Sequence, residues 1–486
     1  MRVTSAQRLA RLLAAAGIEP SVVGDGQVPV GPDVVIDNRA ATAGSLFIGL
    51  PGERVDGADF AAAAAERGAA AAVVGHDVGA PLTRLVVPDP AAALAALARA
   101  LVDVENRRGM TTLAITGSSG KTSTKDLLAQ VLERLGPTVS PDGNHNNEIG
   151  VPLTACGVDG RTRFLVAEMG ARGIGHIRTL CAMVPPRIAA VLNIGTAHLG
   201  EFGSREAIAR AKGEILEALP ADGWAVLNDD DGLVAAMAGR TGARIARWSV
   251  AGRPAGDAEL AVWAEDIALD ALQRGAFTLH ALREGVHGRV PVRLGLVGAH
   301  QVPNAVVAAA MALAAGAPLG SVGAALSGAR TRSPLRMELV ETARGAAIVN
   351  DCYNANPDST AAALRTVAAM GAARRAERPD ARVVAVLGDM AELGPDADAL
   401  HRDIGALVAS LGYDELVAVG EHAGALVAGA TAAGPGINAR AADKADVAGS
   451  LELGAGDVVL VKASRVLALE DVTAQLIDRD EEGTAR

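Results

Sequence analysis

Short apolar runs alternate with alanine-rich segments of helical character over the first hundred residues. The predicted strands are Val34–Asn38, Leu46–Leu50, Ala71–Val74 and Leu85–Val87. Each run is short and lies between polar or turn-forming residues, which favours strands over helices. The polar stretch at residues 105–109 favours a linker. The pattern therefore predicts a small α/β unit that ends near residue 107.

From about residue 110 the alternation continues with longer helical segments between the apolar runs. The predicted strands here are Leu113–Thr116, Phe164–Ala167, Ile188–Ile194 and Ala225–Leu227. Strands that alternate with helices are typical of a parallel sheet. Residues 258–297 change character and predict antiparallel strands joined by polar turns, and Val302–Ala315 predicts a helix.

The last third of the chain repeats the α/β pattern. Buried-strand candidates at residues 383–388, 415–420 and 457–462 are separated by helical segments. The fold class expected is therefore α/β with three domains. These are an N-terminal α/β domain (1–107), a central domain of the P-loop ATPase type (108–328), and a C-terminal Rossmann-like domain (329–486). The central sheet is expected to be mostly parallel, with a small antiparallel sheet in addition.

Composition and charge narrow the function classes. A length of 486 residues favours about three domains. The net charge of −11 comes from 45 basic and 56 acidic residues that are dispersed along the chain. Since no basic run appears, nucleic-acid binding is not expected. No apolar run reaches the length of about 18 residues that a transmembrane helix needs. The three cysteines do not make a disulfide framework and fit a reducing cytoplasm.

The stretch LAITGSSGKTSTKD (113–126) carries the strongest chemical signal. An apolar run ends in Thr116, glycines follow at 117 and 120, and a helix-forming segment begins near Lys121. This strand, turn and helix N-terminus is the arrangement that cradles nucleotide phosphates. Lys121 is placed to reach the β- and γ-phosphates, and the Thr122 hydroxyl to ligate Mg²⁺. The full motif has a further glycine where this chain has Ile115, so the loop is a shortened form. The alternative is a Gly/Ser turn with a surface lysine.

Two polar residues follow neighbouring predicted strands. Glu168 comes directly after Phe164–Ala167, and His198 follows Ile188–Ile194. Ligands of open α/β sheets bind at the carboxyl edge of the strands, so both residues are candidate ligands of a metal or substrate. Taken alone, each could instead be a structural polar residue.

Lys212 occupies an unusual position for a lysine. In SREAIARAKGEILEAL (204–219) it lies four residues after Ile208 and three before Ile215, on the apolar stripe of a predicted helix. One interpretation is a lysine that extends its ammonium group to solvent. The other is a desolvated lysine with a lowered pKa, whose neutral amine could add CO₂ and become a carbamate ligand for a second Mg²⁺.

Several motifs, taken in order, resemble those of the Mur ligase family, the ATP-dependent amide-bond ligases of peptidoglycan precursor synthesis. They are TGSSGKTSTKD, GNHNNEIGVPLT (143–154), AHLGEFGSREAIARAKGEI (197–215), NDCYNANPDS (350–359), VLGDMAELG (386–394) and VKASR (461–465). The second and third are most similar to those of the member that joins D-alanyl-D-alanine to UDP-N-acetylmuramoyl-tripeptide. The resemblance implies these two molecules as substrates, ATP and two Mg²⁺ ions as cofactors, and a monomeric cytoplasmic enzyme. It also implies that the N-terminal domain binds the UDP substrate and the C-terminal domain the incoming dipeptide.

The resemblance also implies roles for matched positions. The implied catalytic residues are Lys121, His198, Lys212 and Arg336. The implied metal ligands are Thr122, Glu168, His198 and Lys212, the last as a carbamate. The implied ATP contacts are Thr116, Gly117, Ser118, Ser119, Gly120, Lys121, Thr122, Ser123, Asn304, Arg336 and Asp351, with His300 near the base. The implied substrate contacts are Asn38, Arg39, Ser45, Asn146, Asn147, Tyr353, Asn354, Lys462 and Ser464, with Arg465 beside them.

The chain departs from the family pattern at two positions. The stretch DNRAATAGSLFIGLPGERVDGADF (37–60) resembles the uridine-nucleotide-binding region of the family, but Asn38 stands where serine is more usual. Ala463 stands where glycine is common in the last motif.

Alternatives within and outside the family stay open. A sister ligase adds the third amino acid of the peptide, but its diaminopimelate form carries a DNPR-type motif where this chain has DCYNANPDS. Folylpolyglutamate and cyanophycin ligases are more distant relatives. A P-loop ATPase or switch protein that acts as an interaction module would leave Lys212 and the C-terminal motifs without a role. The third residue of the peptide, diaminopimelate or lysine, stays undetermined.

Overall fold

The computed structural model describes residues 1–195 and 202–484. The strands in these residues are β1 (Thr4–Ser5), β2 (Ser21–Val23), β3 (Pro29–Val30), β4 (Val34–Val35), β5 (Leu46–Ile48), β6 (Ala71–Val74), β7 (Thr83–Val86), β8 (Thr111–Thr116), β9 (Thr138–Val139), β10 (Phe164–Glu168), β11 (Ile188–Val191), β12 (Trp224–Asn228), β13 (Arg244–Ser249), β14 (Leu260–Leu269), β15 (Arg274–Arg283), β16 (Val286–Val297), β17 (Glu338–Glu341), β18 (Ala347–Asn350), β19 (Val383–Gly388), β20 (Glu415–Val419), β21 (Asn438–Ala441) and β22 (Val458–Lys462).

The α-helices in the same residues lie between these strands and at the ends of each unit. They are α1 (Ala6–Ala15), α2 (Ala61–Glu66), α3 (Pro90–Asn106), α4 (Lys121–Glu133), α5 (Gly150–Ala155), α6 (His176–Met183), α7 (Arg205–Glu217), α8 (Gly232–Ala235), α9 (Gln301–Ala314), α10 (Leu319–Gly328), α11 (Pro357–Glu377), α12 (Ala397–Ser410), α13 (Ala423–Ala433), α14 (Lys444–Ser450) and α15 (Glu470–Thr484). No helix within this described part of the chain is both long and apolar enough to cross a membrane.

The N-terminal unit is built on a mixed sheet. Its strand order is β2-β7-β6-β5-β4, parallel except for β2, while β1 and β3 pair separately. The linker expected at residues 105–109 is partly helical, because α3 continues to Asn106. Glu105 is buried and binds Arg108 at 2.8 Å and Arg2 at 3.3 Å. These ion pairs lie at the last turn of α3, which extends into the expected linker and ends at the expected boundary near residue 107.

The central sheet has β8 in its interior and runs in the order β16-β15-β14-β13-β12-β11-β8-β10-β9. Leu113 and Ile115 of β8 face a core that includes α4 and α9, while Ala114 faces the opposite core. Both faces of the sheet are therefore buried, as in α/β proteins. The predicted antiparallel strands β14–β16 do form, and β14 pairs with β13 so that they extend the parallel sheet.

The carboxyl end of β11 differs from the prediction. The strand was expected to reach Ile194, but it ends at Val191. Leu192 still donates its amide to the carbonyl of Thr116 at 2.9 Å, and Asn193 then binds the turn after β8 through both its carbonyl and its side chain. The neighbouring strand β10 keeps its pairing with β8 up to Glu168.

The C-terminal unit is a mostly parallel sheet in the order β17-β18-β22-β19-β20-β21, in which β17 is antiparallel to β18. Helix α12 packs on α13 through two glycines. A Cβ atom on Gly405 would lie 1.9 Å from the carbonyl oxygen of Leu426, and one on Gly429 would lie 1.9 Å from that of Arg402. The expected α/β fold class with three domains is confirmed.

We expect Gly405→Ala to lower the free energy of unfolding by about 1–3 kcal/mol, because the added methyl group forces the two helix backbones apart. Gly424→Ala on the same helix pair is the matched control, since a Cβ there meets nothing within 4 Å. That control should lose no stability and can gain up to about 1 kcal/mol from helix propensity. Urea unfolding of both variants measures the difference. Equal stability of the two would show that the helices are not in close contact.

Candidate active site

The turn between β8 and α4 is tightly enclosed by neighbouring elements. Gly120 precedes α4 with a φ of 80°, and a Cβ atom there would lie 2.6 Å from Asn304 Oδ1. A Cβ on Gly117 would lie 2.8 Å from the side chain of Leu192. Both positions therefore require glycine, the first for conformation as well as space. The turn is a nest of backbone amides at the N-terminus of a helix, which suits an anionic ligand.

Asn193, at the carboxyl end of β11, orders this turn. Its Oδ1 accepts hydrogen bonds from the backbone amides of Ser118 and Ser119 at 3.1 and 3.0 Å. Its Nδ2 donates to the carbonyl of Ser119 at 3.2 Å. Nothing in the local sequence marked Asn193, since its partners lie about 75 positions earlier in the chain.

A carboxylate and a hydroxyl meet at the first turn of α4. Thr122 Oγ1 donates to Glu168 Oε2 at 2.8 Å, and Asn146 Nδ2 donates to Glu168 Oε1 at 2.8 Å. Glu168 is 1% exposed. Within the described residues, no group of three or more His, Cys, Asp and Glu side chains could hold a metal. The oxygen atoms present suit Mg²⁺, which takes few protein ligands and completes its shell with phosphate and water.

Lys121 lies at the start of α4 and turns back over the loop. Its Nζ donates to the carbonyl of Gly117 at 2.8 Å. Burial lowers the pKa of Lys121, the charge of Glu168 raises it, and the charge of Arg336 lowers it. Lys121 is therefore close enough to interact electrostatically with Glu168 of the central unit and with Arg336 of the C-terminal unit.

Lys212 is 1% exposed on α7, beside the predicted apolar residues Ile208 and Ile215. Burial lowers its pKa well below the ordinary value, and the charge of Lys121 lowers it further. The amine lines the same cleft as the phosphate loop. This burial supports the desolvated lysine over one that extends to solvent.

The C-terminal unit supplies a second cluster that faces the loop. Lys462 is 2% exposed, and its Nζ lies 2.5 Å from Asp351 Oδ2 and 2.8 Å from the carbonyl of Asn354. The guanidinium of Arg336 lies 4.1 Å from the ring centroid of Tyr353, a cation–π contact. Burial raises the pKa of Tyr353, so its phenol stays protonated at neutral pH.

A cleft of about 920 Å³ is lined on one side by the phosphate loop and on the other by the cluster of the C-terminal unit. Its lining also includes Asn228, Asp230, Trp248, His300 and Asn304. Burial lowers the pKa of His300, so its ring is neutral at pH 7. The Nδ1 atom of His300 and the Nε1 atom of Trp248 are buried without a hydrogen-bond partner in the described structure. These polar groups beside apolar walls suit a heteroaromatic base.

The structure brings most of the predicted residues into this cleft. Those that line it are Ser118, Ser119, Gly120, Lys121, Thr122, Ser123, Asn146, Asn147, Glu168, Lys212, Asn304, Arg336, Asp351, Tyr353, Asn354, Lys462 and Ser464. Thr116 ends β8 beneath the turn, and Gly117 begins the turn. His198 lies outside the described residues. Asn147 is partly occupied elsewhere, because its Oδ1 accepts from the amides of Ile149 and Gly150.

The predicted uridine-binding residues are not brought into the cleft. Arg39 pairs with Asp37 at 2.7 Å, and its side chain is 80% exposed. Asn38 lies between them in a short 3₁₀ helix, and Ser45 is fully buried. These residues form a separate cluster on the N-terminal unit.

Sequence reasoning missed several residues that build the site. Besides Asn193, the buried Lys125 donates to the carbonyl of Pro141 at 2.7 Å and so holds the loop that carries Asn146. The sequence feature that could have identified Lys125 is that it is a second lysine, one helical turn after Lys121. Asp230 lies two residues after β12 and Trp248 is the next-to-last residue of β13, so both lie at the carboxyl edge of the sheet, a position that could have identified them.

Comparison with known proteins gives consistent matches along the chain. Family models match at residues 33–110 (Mur ligase family, catalytic domain), 115–312 (Mur ligase middle domain) and 335–465 (Mur ligase, glutamate ligase domain). The chain is 44% identical over 493 residues to the UDP-N-acetylmuramoyl-tripeptide–D-alanyl-D-alanine ligase of Mycobacterium tuberculosis, with 93% of each chain covered. The similarly named ligase of Escherichia coli is 34% identical, with 91% of this chain and 93% of the relative covered. A crystal structure of MurF from Acinetobacter baumannii superposes with a TM-score of 0.82 at 31% identity, covering 98% of this chain and 99% of that one.

We expect Gly120→Ala to reduce ATP-dependent turnover by about a hundredfold, because displacing the turn by about 1 Å misplaces the phosphates. Gly412→Ala is the matched control. Its φ of 74° is similar, but a Cβ there meets nothing within 4 Å. Both variants pay the left-handed backbone cost of about 1 kcal/mol. Nucleotide affinity by calorimetry and phosphate release together separate the two effects, and equal turnover in both variants would contradict the steric argument.

Proposed function

The chain belongs to the Mur ligase family, and we propose that it joins D-alanyl-D-alanine to UDP-N-acetylmuramoyl-tripeptide and converts ATP to ADP and phosphate in the reaction. The observation that carries the proposal is the single cleft in which the phosphate loop faces Arg336, Tyr353 and Lys462 of the C-terminal unit. The similarity to ligases of that name supports this choice of substrates. The product is the UDP-linked pentapeptide.

The first step activates the terminal carboxylate of the tripeptide. A carboxylate is a poor electrophile, so one of its oxygens attacks the γ-phosphorus of ATP and ADP leaves. Lys121 from one side and Arg336 from the other neutralise charge on the transferring phosphoryl group. The Thr122 hydroxyl and the Glu168 carboxylate would hold Mg²⁺ at the phosphates, where the ion supplies further charge neutralisation. The result is an acyl phosphate.

The second step forms the amide bond. The amine of D-alanyl-D-alanine attacks the acyl carbon, a tetrahedral intermediate forms, and phosphate leaves as the amine loses its proton. We assign Asn354, Lys462 and Ser464 to the dipeptide side of the cleft, because they lie on the C-terminal unit opposite the phosphate loop. Closure of the two units around the acyl phosphate excludes water.

Lys212 is proposed to act as a carbamate. Its burial and the nearby Lys121 favour the neutral amine, which can add CO₂ and release one proton. The carbamate would place an anion near the cation Lys121. Together with His198 it would bind a second Mg²⁺.

The remaining assignments concern the N-terminal unit and the setting of the reaction. We assign Asn38, Arg39 and Ser45 to the uridine nucleotide, because the exposed Arg39 offers a cation for its phosphates. The three cysteines are buried and free, which fits a reducing cytoplasm. We propose a monomer that acts there, with domain limits near residues 107 and 328.

We expect phosphate release from Mg-ATP to require both UDP-N-acetylmuramoyl-tripeptide and D-alanyl-D-alanine, with a pentapeptide product by mass spectrometry. L-alanyl-L-alanine is the matched control for the acceptor, and the UDP-dipeptide with meso-diaminopimelate or lysine tests the sister ligase. Release without any acceptor would favour an ATPase. Release with the dipeptide substrate and a single amino acid would favour the sister ligase.

We expect Lys212→Ala to lower turnover by about 10²–10³-fold, the usual loss when a preorganised charge is removed. Acetate or propionate should restore part of it by placing a carboxylate where the carbamate stood. Lys212→Arg, which keeps a long basic side chain but cannot form a carbamate, should stay inactive with or without the acid. Full activity of Lys212→Arg would contradict the carbamate proposal, and melting curves of all variants control for folding.

A further inference from the structure

The segment that joins the central and C-terminal units is bound along one face of α4, the helix that begins at Lys121. Gln130 makes two hydrogen bonds to the backbone of Arg330, accepting from its amide at 2.9 Å and donating to its carbonyl at 2.9 Å. Asp126 Oδ2 accepts from the amide of Ser333 at 3.1 Å. Glu133 forms a two-bond ion pair with Arg332.

The three helix residues share one face of α4. Asp126, Gln130 and Glu133 are spaced by four and three positions, which places them on one stripe of an α-helix. They lie roughly 7–18 Å along the helix axis from Lys121, at a rise of about 1.5 Å per residue. The segment 330–333 is therefore part of the rigid body that carries the phosphate loop.

Beyond Pro334 the chain is bound to the other unit instead. The carbonyl of Leu335 accepts from the amide of Tyr353 at 3.1 Å, and the amide of Met337 donates to Asp351 Oδ1 at 3.1 Å. The Met337 side chain is buried in the C-terminal core. Leu335 and Met337 have φ values of 61° and 49°, a conformation that non-glycine residues hold only when their surroundings enforce it.

We propose that Asp126, Gln130 and Glu133 form a clamp that confines the pivot between the two units to Pro334, and that they thereby position Arg336 against the phosphate loop. These are positioning residues, since they contact the joining segment. The proposal rests on the proposed function, because Arg336 matters to the rate through the phosphoryl group it faces. Beyond that function, the clamp determines how the C-terminal unit is oriented when it closes on the phosphate loop.

The physical reason is the shortness of the free segment. Arg336 is two residues after Pro334, so rotation about that residue carries its guanidinium along a short arc. If the clamp opens, residues 330–333 also become free, and the C-terminal unit can approach the loop in many orientations. Phosphoryl transfer tolerates little misplacement, so most of these orientations are unproductive.

The test uses Gln130→Ala in the full-length enzyme, with Gln475→Ala as control, an exposed glutamine on α15. We expect Gln130→Ala to lower kcat about tenfold or more while the KM for ATP changes less than twofold, because Lys121 and its turn are left intact. The same substitution in an Arg336→Ala background should have almost no further effect. Gln475→Ala should match wild type in both backgrounds.

A second readout does not depend on activity. Trypsin should cut after Arg330 and Arg332 at least tenfold faster in Gln130→Ala than in wild type, because cleavage requires the segment to leave α4. The Gln475→Ala protein should be cut at the wild-type rate at these two sites. Cleavage after Arg330 also tests the ion pair, because the charge exchange Glu133→Arg with Arg332→Glu should recover the protection of this bond that each single change reduces, while Arg332→Glu itself removes the second cleavage site.

The outcomes separate the clamp from the function on which it rests. If Gln130→Ala lowers kcat equally in the wild-type and Arg336→Ala backgrounds, its effect does not pass through Arg336 and the proposal is overturned. Unchanged kcat with unchanged trypsin cleavage also overturns it. If wild type forms no pentapeptide, the proposed function fails, whereas the clamp alone fails if wild type is active and Gln130→Ala equals it.

Discussion

A strand that ends at Thr116 reverses into a helix at Lys121 within four residues, while Leu192 and Asn304 leave no room for a side chain on the turn. The other elements of the site pack around this glycine turn. Asn193 and Asn304 reach the turn from β11 and α9, so the sheet and its covering helix must pack correctly before the amides converge. The turn therefore depends on the same apolar core that Leu113 and Ile115 help to form.

The electrostatics of the cleft follow from that arrangement. Lys121, Arg336 and Lys462 line one cavity together with carboxylates that include Glu168 and Asp351, while burial favours the neutral form of Lys212. Asp351 neutralises Lys462 directly at 2.5 Å, whereas the charge of Arg336 acts unfavourably on Lys121 beside the phosphate loop. A polyphosphate relieves this repulsion and binds most strongly when both units contribute their cations. Binding and closure are therefore coupled by charge.

Local signals predicted the elements that a short window of residues determines. Strand β6 has the bounds expected from its four apolar residues, and Glu168 ends β10 where its position after an apolar run placed it. Lys212 was identified from helical spacing alone, and it is buried. Predictions were less accurate where a distant partner competes with local preference. Strand β11 ends at Val191, before Asn193 binds the turn after β8, and α3 continues to Asn106, where the buried Glu105 pairs with two arginines.

The sequence by itself determined the alternation of strands and helices, the phosphate-binding turn and the order of the motifs, because these depend on neighbours within a few residues. The tertiary structure alone decided which polar atoms meet. Asn193 reaches a turn about 75 positions away, and Gln130 binds a segment about 200 positions away. Such contacts arise from the packing of whole helices and strands, and the sequence around either residue of a contact does not indicate which partner it will meet. The positions of Arg336 and Lys462 opposite Lys121 belong to this second class.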